Sequence, residues 1–209
     1  MSVLTIEEAI AGGMGRSVTV GAFSGGIVGG GAGTVLLIDE PDLIIGVPAN
    51  VCIRPLRISA QVQAGAIGTD ADETEILFAV DSLGLWSGDG TSTAEQPSNM
   101  RTDLDKGSAC RVGSAVTGAI TTTPGFAVGA AADPVLDLEL ARAVLHFDLA
   151  TAAGQNKNSV ELLYEPKHPI YIVGPATLCV FTGGTVATVG GFTQASWIEG
   201  TTAQLVGAI

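Results

Sequence analysis

The segment around Ser24 comes closest to a catalytic pattern. Gly-x-Ser-x-Gly is the nucleophile elbow of serine hydrolases, but Ala22 stands where its first glycine belongs, and no strand–turn–helix pattern surrounds it. The glycine run 29–33 lacks the spacing of either common phosphate loop, and no helix start follows it. We therefore interpret both stretches as a glycine-rich loop that permits close backbone approach.

The metal-ligating residue types are few and scattered. His146 and His168 are the only histidines, and neither has a cysteine, histidine or carboxylate at the spacing of a zinc site. The acidic stretch 69–75 resembles the start of a calcium loop but lacks its glycine and closing glutamate. We interpret this stretch as a solvated turn, and we interpret the pair Asp103 and Asp105 as a second solvated turn. The sequence predicts no metal, no cofactor and no enzyme activity.

The charge balance excludes several kinds of partner. The 209 residues carry 21 acidic and 9 basic side chains, a net charge of −12, and the basic residues are dispersed. Nucleic-acid backbones and anionic membranes attract clustered lysine and arginine, so we expect neither to bind. Only 14% of residues are charged while 46% are hydrophobic. This predicts that apolar surface is hidden between subunits, in an oligomer. The three cysteines, far apart, are interpreted as buried free thiols.

Period-two alternation dominates the chain and predicts strands. Examples are Val18 with Val20, the apolar run 43–47, and the long alternation over 51–63, in which Pro55 indicates a bulge or an edge. Further strands are predicted at 76–80, 159–164, 169–173, 177–182 and 191–198. With turn residues between them, these strands predict an all-β antiparallel β-sandwich or barrel.

Three segments need separate interpretation. Thr5 and Glu8 have capping-box spacing, so a short helix over 6–11 should end at Gly12-Gly13. Residues 1–16 are predicted as an N-terminal arm and 17–209 as one domain. The polar stretch 81–108 is predicted as a long functional loop. Across 134–149 the alternation changes parity near Ala141, which indicates a bulged strand, with a helix over 134–146 as the competing interpretation.

The C-terminal third resembles the last strands of small viral jelly rolls, through the stretch YEPKHPIYIVGPATLCVFT (164–182) and then ASWIE (195–199). The earlier VPANVCIRPLR (47–57) is similar in character. This family resemblance is to capsid decoration (cement) proteins of tailed bacteriophages. It implies a jelly-roll β-sandwich that forms a homotrimer, binds the major capsid protein from the outer capsid surface of the virion, and is made in the host cytoplasm.

A set of apolar residues is expected to form the contacts of such an assembly. It comprises Ile6, Ile10 and Met14 of the arm, Trp86 and Met100 of the long loop, and Trp197 near the C-terminus, with core packing as the alternative for each. The rival function is a carbohydrate- or ligand-binding β-sandwich, such as a phage adhesin or lectin-like module, with the long loop as its recognition lip.

Overall fold

The computed structural model describes residues 4–22, 38–63, 72–87, 91–124, 132–147, 159–184 and 190–206. The glycine run 29–33, Ser24 and Asp70 lie outside the described residues. The elements, in chain order, are α1 (Ile6–Ala11), β1 (Gly15–Ala22), β2 (Leu43–Val47), β3 (Cys52–Gln63), β4 (Asp72–Asp81), β5 (Gly84–Trp86), β6 (Thr91–Glu95), β7 (Ser98–Asn99), β8 (Arg111–Thr117), β9 (Thr122–Pro124), β10 (Leu138–Phe147), β11 (Ser159–Tyr164), β12 (Ile172–Val173), β13 (Ala176–Gly184), β14 (Gly190–Gly200) and α2 (Thr202–Leu205).

Two antiparallel sheets form a sandwich, as the sequence predicts. The first sheet has the order β11-β3-β14-β1-β7, with β12 also paired to β3, and the second has the order β10-β4-β13-β2-β8-β6. Four of the pairings are nested along the chain: β1 with β14, β2 with β13, β3 with β11, and β4 with β10. The chain is thus one long antiparallel ribbon wrapped so that its successive pairs alternate between the sheets.

The core between the sheets follows from the alternation in the strands. Val18 and Val20 of β1 face inwards while Thr19 is exposed. Both sheets contribute aliphatic side chains to this core, and its buried aromatic residues are Phe78 and Trp197. In the second sheet β2 is buried at every position, because its outward-facing Ile44 belongs to another apolar cluster. Because this second cluster covers the outer face of the sheet, strands such as β2 are apolar at consecutive positions, as is typical of sheets that are covered on both faces.

The segment between β4 and β10 covers the outer face of the second sheet. β5 and β9 pair with each other, and Trp86, Val116 and Ile120 pack with Leu77, Ala79, Cys179 and Phe181 on the outer face of the second sheet. The prediction of a loop over 81–108 is wrong in part. Within it β6 pairs with β8 and β7 pairs with β1, so this stretch extends both sheets at one side of the sandwich. The sequence analysis missed these strands because their residues are polar, as is common for strands at exposed sheet edges.

The local predictions on helix and bulges are confirmed. α1 spans residues 6–11 and has the capping box of Thr5 and Glu8. The register of β14 against β3 shifts opposite Pro55, and that of β10 against β4 shifts between Glu139 and Ala141. The competing helix over 134–146 is wrong, because residues 138–147 form a strand whose hydrogen bonds to β4 outweigh the helix propensity of its side chains.

Candidate functional site

The three arm residues predicted for contacts pack against the protein's own sandwich. Ile6, Ile10 and Met14 border an apolar cluster that consists of Ala9, Cys52, Ile198 and Leu205. The backbone of Met14 also accepts a hydrogen bond of 2.9 Å from the N–H of Glu199 in β14. α1 therefore docks on the outer face of the first sheet, and six residues suffice for a helix because this packing supports it.

Both tryptophans are anchors of the single chain. Trp197 is 1% exposed in the core, and its indole N–H donates to Glu199 at 3.3 Å. Trp86 is 4% exposed on the outer face of the second sheet, where Gly113 leaves room for the indole, since a Cβ there would lie 2.7 Å from Trp86 Cη2. Of the six predicted contact residues only Met100 is well exposed, at 39%.

A cavity of about 210 Å³ lies beside Trp86 where β6 meets β8. The guanidinium of Arg111 covers the indole ring of Trp86 at 4.1 Å from its centroid, within the range of a cation–π contact. The lining residues are Trp86, Ser92, Ala94, Glu95, Gln96, Pro97, Ser108, Cys110, Arg111 and Val112. Segment 91–97 of the predicted recognition lip therefore forms one wall of a cavity.

The charged groups of this cavity have different surroundings. Arg111 makes no ion pair with any carboxylate of the described residues. Glu95 instead accepts a hydrogen bond of 2.5 Å from the hydroxyl of Ser114. Burial, assisted by the negative charge of Glu199, raises the pKa of the Cys110 thiol far above its ordinary value. Cys110 is therefore protonated at neutral pH, and a protonated thiol is not a nucleophile.

Two buried charges fix the segment that borders this cavity. The guanidinium of Arg16 donates to the carbonyl oxygens of Gly13 and Gly15 at 2.7 and 2.9 Å, and to that of Gly107 at 2.9 Å. The carboxylate of Glu199 accepts from the hydroxyl of Ser108 at 2.5 Å and from the N–H of Ala109 at 2.6 Å. Together they hold residues 107–109 against β1 and β14, which positions Ser108 and Cys110 at the cavity.

An exposed apolar patch lies at another part of the surface. Leu83, Val135 and Leu138, here called the end patch, are 62%, 67% and 39% exposed. The buried carboxylate of Asp81 joins the two segments that carry them, because it accepts hydrogen bonds from the N–H groups of Leu83 and Val135, each at 3.2 Å. The end patch is therefore held by an ordered polar network. Leu138 begins β10, which among the described strands pairs with β4 alone.

The motifs tested for chemistry are not brought together. No three histidine, cysteine, aspartate or glutamate side chains approach one another closely enough to hold a metal ion within the described part of the chain. His168 lies in the exposed turn before β12. None of the helices that the structure describes has the length and apolar character needed to cross a membrane.

Several residues of these sites escaped the sequence analysis. Arg16, Arg111 and Glu199 carry no motif, and each stands in or beside a strand where a charge is ordinarily solvated. The one available signal was positional: Arg16 and Glu199 each break an apolar–polar alternation in a strand. Comparison with models of protein families, with curated proteins and with solved structures finds no match to this chain.

Proposed function

We propose that this chain is a jelly-roll structural subunit, a decoration (cement) protein of a tailed-phage capsid. The observation that carries the proposal is the nested pairing of β1, β2, β3 and β4 with β14, β13, β11 and β10. When these eight strands are renumbered 1 to 8 in chain order, the first sheet has the order 1-8-3-6 and the second sheet has the order 2-7-4-5. That order is the one produced by rolling an antiparallel ribbon into a jelly roll, an architecture of viral capsid proteins and lectins.

The surface of the sandwich supports an associative role. The end patch places Leu83 and Val135 in solvent on segments that Asp81 holds in place. A rigid apolar surface loses little conformational entropy on binding, and each Å² removed from water contributes about 25 cal/mol before association costs. The end patch is therefore the proposed contact surface between subunits.

The proposed partners are further copies of the chain, as a homotrimer, and the major capsid protein. A net charge of −12 suits the outer surface of the virion, because the inner surface faces the negatively charged DNA. Its mechanism is the burial of apolar area between shell subunits, without catalysis. Synthesis takes place in the host cytoplasm, before the protein is added to the shell.

The experiment measures mass and capsid binding separately. Light scattering coupled to size-exclusion chromatography should give the mass of a trimer, and the protein should co-sediment with capsids that lack it. Capsids of an unrelated phage serve as the control. A monomer that does not sediment with any capsid of its own phage would refute the proposal.

A ligand-binding module is the second candidate, and the cavity beside Trp86 favours it. The lip segment 91–97 and Arg111 line this cavity, which is partly open to solvent. Trp86 offers no open aromatic face to a sugar, because Arg111 covers its ring. A glycan array tests this candidate with Arg111→Gln as the negative control. A signal that this variant abolishes supports a module of this type, and a silent array rejects a glycan ligand.

A further inference from the structure

Among the residues that the structure describes, Arg111 has no anionic partner. It begins β8, its side chain is exposed, and its guanidinium lies over Trp86 at 4.1 Å. Trp86 is itself buried against the sheet, so the indole ring beneath the guanidinium of Arg111 is held in place. Three other arginines do have carboxylate partners. Arg57 pairs with Glu165, Arg101 with Asp103, and Arg142 with both Glu139 and Glu75.

Two of the residues that line the cavity, Ser92 and Trp86, lie on the same face of the sheet as Arg111. A Cβ on Gly113 would meet Ser92 Oγ at 3.2 Å and Trp86 Cη2 at 2.7 Å, so both side chains lie on the face to which Gly113 points. Residues of a strand alternate between faces, and Arg111 is two positions from Gly113. Ser92, Trp86 and Arg111 therefore share one face.

The carboxylate of Glu95 belongs to the opposite face. Glu95 also lines the cavity, but it is paired with Val112, which points into the core between the sheets. Its carboxylate accepts a hydrogen bond from the hydroxyl of Ser114. Of the described residues, the part of the cavity beside Arg111 therefore has a guanidinium without an ion pair and a hydroxyl, and no carboxylate from β6 or β8 on that face. Its electrostatic preference is for a negative charge.

We infer that this cavity binds the carboxylate of a small organic acid, with Arg111 as the residue that recognises it. A guanidinium presents paired N–H donors that match the two oxygens of a carboxylate. One arginine and a net charge of −12 favour a singly charged acid, because long-range repulsion rises with the charge of the ligand. The volume of about 210 Å³ is below that of a drug-sized site and suits a ligand such as a sugar acid. This inference names the ligand chemistry of the second candidate function and does not depend on assembly.

The test uses D-glucuronate as the probe and D-glucose, which has the same ring without the carboxylate, as its comparison. Titration calorimetry should give saturable binding of glucuronate that is at least about tenfold tighter than that of glucose, in line with one charge-assisted hydrogen-bonded contact. Glucuronate should also change the tryptophan fluorescence, since Arg111 contacts Trp86.

Two variants assign the binding to Arg111. Arg111→Gln should weaken glucuronate binding about tenfold or more, and Arg111→Lys should retain part of it, since the ammonium keeps the charge but not the planar fork. Arg54→Gln is the matched control, because Arg54 also lies over an aromatic ring, Tyr171, at 6.0 Å and does not line the cavity. Equal affinity for glucose and glucuronate, no saturable binding, or an unaffected Arg111→Gln variant overturns the inference. Chromatographic mass measured on the same samples reports on assembly independently.

Discussion

The backbone N–H and the hydroxyl of Thr182 both donate to the same oxygen of the Asp42 carboxyl group, each at 2.5 Å. Asp42 is completely buried, and its second oxygen has no hydrogen-bond partner among the described residues. Burial raises the pKa of Asp42 to about 7, although the two hydrogen bonds from Thr182 oppose this rise. The fold thus carries an acid that is largely protonated below neutral pH.

The raised pKa of Asp42 predicts a stability that falls as the pH rises. The folded state holds the proton that the unfolded chain releases near its ordinary pKa of 3.8. The stabilising contribution is therefore complete below about pH 4 and is lost as the pH rises through 7, by on the order of 4 kcal/mol.

Asp42→Asn should remove this dependence, because the amide is neutral at every pH and its oxygen accepts from Thr182. We expect the variant to be more stable than the parent at pH 8 and similar at pH 4.5, measured by urea unfolding across the range. The exposed Asp105→Asn is the control. If the pH profiles of the parent and Asp42→Asn run parallel, Asp42 does not titrate as described.

Removal of the buried guanidinium of Arg16 should destabilise the fold. Arg16→Met removes the guanidinium donor from the carbonyl oxygens of Gly13, Gly15 and Gly107. Gly13 then keeps the amide of Asn99 as donor, and Gly15 keeps the N–H of Met100. We expect a loss of about 3 kcal/mol or more in the free energy of unfolding, measured by urea titration. Arg57→Met is the control, because Arg57 lies in an exposed pair with Glu165 at 3.9 Å and should change stability by less than about 1 kcal/mol. Similar losses in both variants would contradict a special role of Arg16.

A methyl group at Gly84 should disturb the network of Asp81. A Cβ there would collide with the Asp81 carboxylate and lie 2.6 Å from Thr122 Oγ1. Gly84→Ala is expected to cost about 1–3 kcal/mol, the usual range for overpacking, in thermal or urea unfolding. At Gly107 a Cβ meets no atom within 4 Å, so Gly107→Ala is the matched control. Equal stability of the two variants would show that Asp81 has room to move.

The thiols should resist alkylation in the folded protein. Cys52, Cys110 and Cys179 are buried free cysteines, and burial raises the pKa of Cys52 to about 11 and those of the other two further. Because the thiolate is the reactive form, iodoacetamide at pH 8 should modify none of them quickly. Mass spectrometry should find three modifications after unfolding in urea. Rapid labelling of a thiol in the native protein would contradict its described burial.

The end patch predicts a variant that folds but fails to associate. Val135→Lys combined with Leu83→Lys replaces two exposed side chains, so the stability of the isolated subunit should change by less than about 1 kcal/mol. If the chain forms the proposed homotrimer through this patch, the mass of the double variant in solution should fall to that of a monomer. Val173→Lys, an exposed apolar position on β12 in the first sheet, is the control. An unchanged oligomer in the double variant would place the subunit contacts elsewhere.

The regular strands were predictable because their alternation is local. The pattern of Val18, Thr19 and Val20, the bulge near Ala141 and the capping box of Thr5 with Glu8 all depend on neighbouring residues, and the structure confirms each. The strands hidden within 81–108 were missed because β6 and β7 are short and polar. Their pairing with β8 and β1 is a contact between distant residues that local composition does not encode.

The sequence alone determined the class of fold, since alternation and turn residues leave an antiparallel β-protein as the consistent solution. Tertiary structure alone decided the roles of individual side chains. It placed Trp86 and Trp197 inside the single chain, and it brought Arg111 to a cavity where no carboxylate of the described residues forms an ion pair with it. The reason is physical: burial and ion pairing depend on which strands become neighbours, and in a nested ribbon those neighbours come from opposite ends of the chain.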